Sequence, residues 1–127
     1  MAAARKPLLW LGASKADLKT FPEEVQDVMG YALDFAQQRK KHPDAKPLKG
    51  FGGAGVLEIV DDYDGDTYRA VYTVKFTAAV YVLHCFQKKS KHGLATPRQD
   101  LDLIASRLKR ARDHYAAWSK RQKEQQP

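Results

Sequence analysis

Apolar positions along this chain recur in two rhythms, and the switch between them divides the sequence. From Val25, steps of three and four residues carry Met29, Ala32, Leu33 and Ala36, the one-sided stripe of an amphipathic helix. Pro22 stands at its start, with Glu23 and Glu24 in the first turn. Arg39-Lys40-Lys41 follows its last turn, and His42-Pro43 stops it. Ahead of this helix, the run Pro7–Leu11, closed by Gly12, predicts an edge strand that tolerates proline. Ser14-Lys-Ala-Asp17 has the spacing of a capping box and predicts a short helix.

Residues 43–55 are rich in Pro and Gly and predict a loop. Their glycines lack P-loop spacing, and the lysine and hydroxyl that should follow the last of them are missing. Beyond this loop the period becomes two. Val56–Val60 predicts a short strand, and the acidic stretch Asp61–Asp66 carries an Asp-Gly turn signal. Thr67–Val74 then sets Thr67, Arg69, Val71 and Thr73 on one face and Tyr68, Ala70, Tyr72 and Val74 on the other. After a turn at Lys75–Ala78, the stretch Ala79–Phe86 is apolar on both faces except at His84, as a covered central strand requires. Lys88–Ala95 predicts a basic loop. Thr96-Pro97-Arg98-Gln99 offers an N-cap, a first-position proline and a capping-box glutamine. The last helix follows, with Leu101, Ile104, Leu108, Ala111, Tyr115 and Trp118 on one seam and Arg107, Lys109, Arg110 and Arg112 largely off it. The pattern predicts a single α+β domain over residues 1–127, ordered strand-helix-helix-strand-strand-strand-helix. Its core spans residues 7–118, and 119–127 form a polar tail expected to fray.

Charge adds a direction to this picture. Residues 1–87 carry 11 basic and 11 acidic side chains, whereas residues 88–127 carry 11 and 4, so the whole surplus of +7 sits in the last 40 residues. A field at one end suits a polyanion such as nucleic acid, and a solvated basic helix is the plainer alternative. No apolar run approaches the roughly 20 residues that span a bilayer. The apolar patch after Arg5-Lys6 is too short for a signal peptide, and the single Cys85 cannot close an intramolecular disulfide. These features predict a cytoplasmic protein without membrane contact.

Several side chains are candidates for chemistry. Arg69 lies within an uncharged strand, where a buried guanidinium needs a partner. Its fork fits a phosphate, and an ion pair with Glu58 on the neighbouring strand fits equally well. Lys88, Lys89, Lys91 and His92 fall in the loop after the central strand, where clustered cations can hold a phosphodiester or simply stay solvated. His84 and His92 titrate in the range useful for proton transfer, although His84 in an apolar strand also suits a hydrogen-bonded core position. His42 and His114 have no chemical context and are expected at the surface. No ligand spacing for a metal appears, and Asp61, Asp62, Asp64 and Asp66 lack the closing glutamate of a calcium loop.

Tyr68-Arg-Ala-Val-Tyr-Thr-Val74, Val80-Tyr-Val-Leu-His-Cys-Phe-Gln-Lys-Lys-Ser90 and Thr96-Pro97 together resemble the phage-derived, HigB-like branch of the RelE/ParE toxin superfamily. Lys46-Pro-Leu-Lys-Gly50 and the opening Leu-Leu-Trp-Leu-Gly12 resemble it too. The resemblance covers about residues 7–115. It implies a microbial-ribonuclease-like fold with an antiparallel sheet, two helices before it and one after. It also implies a toxin that enters the ribosomal A site and cuts mRNA by metal-independent attack of a ribose 2′-OH, with no cofactor. On this resemblance Arg69 matches the phosphate-contacting arginine, Lys89 with Lys88 beside it matches a second catalytic cation, and Lys46, Lys49 and Lys91 grip RNA. The implied partners are a helix-turn-helix antitoxin, the ribosome and mRNA, with operator DNA reached only through the antitoxin. The strand Val56-Leu-Glu-Ile-Val60 departs from the pattern, because the basic residues of classical RelE are absent and Glu58 takes one place. A general base must then come from His84, His92 or Glu58. The superfamily also contains gyrase inhibitors that cut no RNA, which leaves as the alternative a non-catalytic binder, either a gyrase inhibitor or a remnant that binds only its antitoxin and DNA.

Overall fold

A computed structural model describes residues 4–53, 55–88 and 96–125. The order is β1 (Leu8–Trp10), α1 (Ser14–Leu18), α2 (Glu23–Gln37), β2 (Lys46–Pro47), β3 (Val56–Tyr63), β4 (Asp66–Thr73), β5 (Val80–Lys88) and α3 (Arg98–Glu124). Five strands form one sheet in the order β1-β5-β4-β3-β2. β1 runs parallel to β5, and the other pairings are antiparallel.

The sheet is covered on both faces, and strand alternation decides which residues go where. Leu57 and Ile59 of β3, Tyr68, Ala70 and Tyr72 of β4, and Val80 and Val82 of β5 pack with the apolar stripe of α2 and with Leu18 of α1. Val56, Val71, Tyr81 and Leu83 face the other way and pack with Ile104, Leu108 and Ala111 of α3. β5 is therefore buried on both sides, as its double-sided apolarity predicts.

Three local features differ from expectation. The loop over 43–55 contains β2, two residues held by pairing Lys46 with Glu58 and Pro47 with Leu57. α3 runs to Glu124, past Ser119 where polarity predicts fraying. Strong helix formers and the basic Arg121 and Lys123 at its C-terminal end sustain it. Neither predicted capping box forms. α1 and α3 have no side-chain cap, Ser14 Oγ donates instead to the Val82 carbonyl at 3.4 Å, and Pro97 occupies the cap position of α3.

The sheet also carries one irregularity. Val71 pairs with His84 but Tyr72 pairs with Val82, so Leu83 is an extra residue in β5, a β-bulge. Leu83 and His84 consequently both turn toward α3. Arg107 of α3 closes over this point. It is buried, and its Nη1 donates to the Leu83 carbonyl at 2.9 Å and to His84 Nδ1 at 3.4 Å. Arg107 was expected off the apolar seam; the bulge carbonyl draws it in.

The same guanidinium explains Gly12 in the turn after β1. Gly12 has φ +54°, and a Cβ there would lie 2.7 Å from Arg107 Nη2. Gly12→Ala is expected to destabilise the fold by about 1–2 kcal/mol from the left-handed backbone alone, and more from the displaced guanidinium. Gly30→Ala, in α2 with open space around it, should instead stabilise by up to about 1 kcal/mol. Thermal melts of the two variants check both signs.

Cys85 is 1% exposed in the α2-side core. Burial, reinforced by Asp17 and opposed by Arg107, pushes its thiol up to about 12. The native protein should therefore resist iodoacetamide at pH 8, and one thiol should label on unfolding. Mass spectrometry of the alkylated protein reads this directly.

Candidate nucleic-acid cleft

The sheet register generates the site. On the α3 face, β3, β4 and β5 place side chains in rows: Glu58, Val71 and His84; then Val60, Arg69 and Phe86; then Asp62, Thr67 and Lys88. α3 covers the first row and the sheet below it. The later rows extend past its N-terminal end, and Val60 is 39% exposed.

Arg69 lies at the floor of the uncovered region, 3% exposed. Its Nη1 donates to Glu58 Oε2 at 3.2 Å and to Thr96 Oγ1 at 3.2 Å. Thr96 thus serves Arg69 rather than the helix cap that local sequence predicts. Glu58 is itself opposite Lys46 of β2. Lys46, Lys49, Glu58, Arg69, Thr96 and Leu101 line a cleft of about 440 Å³. Three cations against one carboxylate leave the cleft positive, and both lysines are exposed at its rim. The geometry suits a phosphodiester: a fixed guanidinium below, exposed ammonium groups at the rim and a carboxylate beside them.

The other candidate residues fall as follows. Lys88 is half-buried on the same face, opposite Thr67, and two residues along from Phe86, about 7 Å. It does not line the cleft. His84 turns to α3, where its Nε2 lies 2.8 Å from Asp100 Oδ1. Because Arg107 can only donate, Nδ1 is the acceptor and Nε2 carries the hydrogen given to Asp100. Both ring nitrogens are therefore engaged. His84 stacks at 4.6 Å on Phe86, which stands opposite Arg69. Lys89, Lys91 and His92 lie outside the described residues. Among the described residues, no group of three His, Cys, Asp or Glu side chains is placed to hold a metal ion, and no helix is long and apolar enough to cross a membrane.

Asp100 and Arg107 were not anticipated. The signal was present: Asp100, Ile104, Arg107 and Ala111 follow steps of four, three and four, so both charges share the buried stripe. His114 has a role as well, since its Nδ1 lies 2.6 Å from the hydroxyl of buried Tyr81.

Fold and site together define a three-layer α+β protein with a cationic cleft on the open end of one sheet face. Residues 16–109 match the family described as Phage derived protein Gp49-like (DUF891), and the chain belongs to that family. No curated protein matches. Among solved structures, the chain is similar to one from the toxin–antitoxin complex RelBE2 of Mycobacterium tuberculosis. The identity is 17%, the alignment covers 68% of this chain and 95% of that one, and the TM-score is 0.45.

Proposed function

We propose that this chain is the toxin of a type II toxin–antitoxin pair, of the HigB-like branch, and that it cleaves mRNA on the ribosome. The observation that carries the reading is the cleft in which Arg69 is held between Glu58 and Thr96, below Lys46 and Lys49. Family membership supports the toxin part. In this mechanism the ribose 2′-oxygen bonds to phosphorus and the 5′-oxygen of the next nucleotide leaves. Glu58 takes the 2′-OH proton, while Arg69 and the lysines bind the non-bridging oxygens as their charge grows. Lys88, Lys89 or His92, at and after the end of β5, returns a proton to the leaving oxygen. The products end in a 2′,3′-cyclic phosphate and a 5′-OH. His84 acts as a positioning residue between α3 and Phe86. Lys91 adds to the RNA grip, and a helix-turn-helix antitoxin masks the site in the cytoplasm.

One observation favours the second reading, a non-catalytic binder: the Arg69–Glu58 pair also serves as a neutralised structural contact. Induced expression without a partner separates the two. Growth arrest, loss of labelled amino-acid uptake and new mRNA ends by primer extension are expected, and cleavage of a magnesium-free model substrate should survive EDTA. Arrest with intact mRNA would establish the binder. Unchanged growth and uptake at good soluble yield would remove the active toxin and leave a binder of antitoxin and DNA.

A further inference from the structure

A second cationic cleft opens on the opposite face of the sheet, where α2 ends against β3 and the chain leaving β4. It encloses about 380 Å³. Lys6, Arg39, Lys40 and Lys41 line it, with Ala36, Leu57 and Val74 as its apolar floor. Leu57 and Glu58 are adjacent in β3 and point to opposite faces, so the sheet separates this cleft from the Arg69 cleft.

Cations beyond a helix C-terminus usually complement its unpaired carbonyls. Here those carbonyls already have partners. The backbone N–H groups of Gln38, Arg39 and Lys40 bond the carbonyls of Asp34, Ala36 and Phe35, and Lys6 N–H bonds that of Gln37. The Arg39 side chain turns away to the Ala4 carbonyl. Lys6 is buried, and its ammonium meets the Phe76 carbonyl only at 3.4 Å. Burial first, and the Arg39 charge second, lower the pKa of Lys6. The lining contains four cations and no carboxylate, so an anion entering it would relieve like-charge repulsion.

The rest of the lining selects the kind of anion. It offers no aromatic ring on which a base can stack. The helix end beside it presents carbonyls, the reverse of a phosphate-binding N-terminus. An aliphatic floor under a rim of ammonium groups fits carboxylates alternating with aliphatic side chains. We infer that the cleft between the end of α2 and β3 docks an acidic, leucine-type segment of a protein partner. The inference holds whether or not the chain cleaves RNA.

The test is fluorescence anisotropy on the full chain with three labelled probes of equal length: a peptide alternating Glu and Leu, one alternating Glu and Ser, and a single-stranded RNA. The Glu/Leu peptide should bind at least five-fold tighter than Glu/Ser. The exposed double variant Lys40→Glu/Lys41→Glu should weaken Glu/Leu binding at least ten-fold at an unchanged Tm, and leave RNA binding within two-fold. Lys46→Glu/Lys49→Glu should leave the Glu/Leu affinity unchanged. Loss of peptide binding through Lys46 and Lys49 instead would overturn the assignment, as would equal affinity for the two peptides. An RNA affinity that falls with Lys40 and Lys41 would make the cleft a nucleic-acid surface and overturn it too.

Discussion

Single-turnover cleavage on ribosomes should fall by about 10²–10³ when Arg69 is replaced by alanine, the usual loss when one preorganised charge stabiliser is removed. The loss is expected to be large because this guanidinium is held from two sides, by Glu58 and Thr96, and spends little energy reorganising as the phosphate charge develops. Arg69→Lys keeps the charge but loses the planar fork. Its shorter reach also breaks one of the two anchors, so it should be clearly impaired. Glu58→Gln keeps the shape of the carboxylate and removes the proton acceptor, so it should lose cleavage with little change in Tm. If Arg69 and Glu58 form only a structural pair, the outcome reverses. Arg69→Ala and Glu58→Ala would then lower the Tm by similar amounts, and a folded Arg69→Ala chain would cleave at the wild-type rate. That last result would remove Arg69 from the chemistry.

Arg107→Met should produce the largest loss of stability. The substitution leaves the Leu83 carbonyl without its side-chain donor inside the core and removes the donor to His84. An unsatisfied buried polar group costs about 1–3 kcal/mol. A fall in Tm of roughly 5–15 °C is expected for a domain of this size. Lys109→Met, two residues along and exposed, should stay within about 0.5 kcal/mol of wild type. An Arg107→Met protein as stable as Lys109→Met would show that water or backbone movement replaces the guanidinium.

The alternation of β3 and β4 and the stripe of α2 were legible in the sequence, because each reflects a single repeating contact with one partner layer. β2 was not. Lys46-Pro47 has no strand pattern of its own and is extended only because β3 offers a free edge. The caps misled for a related reason. Ser14 and Thr96 carry the local signal of a cap, but each finds a partner distant in sequence, the Val82 carbonyl and the Arg69 guanidinium. Of the cleft, Arg69 and Glu58 were readable as charges in a strand that must be compensated, and their pairing follows from adjacent strands. Lys46 and Lys49 were indicated by resemblance. Arg107 was hidden because its charge argued against the buried stripe that its spacing indicated. The Leu83 bulge left no trace, since the extra residue is as apolar as its neighbours.

That bulge sets the phase of β5. Below it, odd-numbered Tyr81 faces α3; above it, even-numbered His84, Phe86 and Lys88 occupy the same face. Two halves of one strand thus run in different reading frames, one keyed to the core and one to the cleft. Removing a single leucine would restore perfect alternation. It would leave His84 opposite Val71, Phe86 opposite Arg69 and Lys88 opposite Thr67, so what the extra residue adds is the Leu83 carbonyl that Arg107 takes. Losing Leu83 would thus cost the buried guanidinium its acceptor while sparing the order of side chains along the cleft.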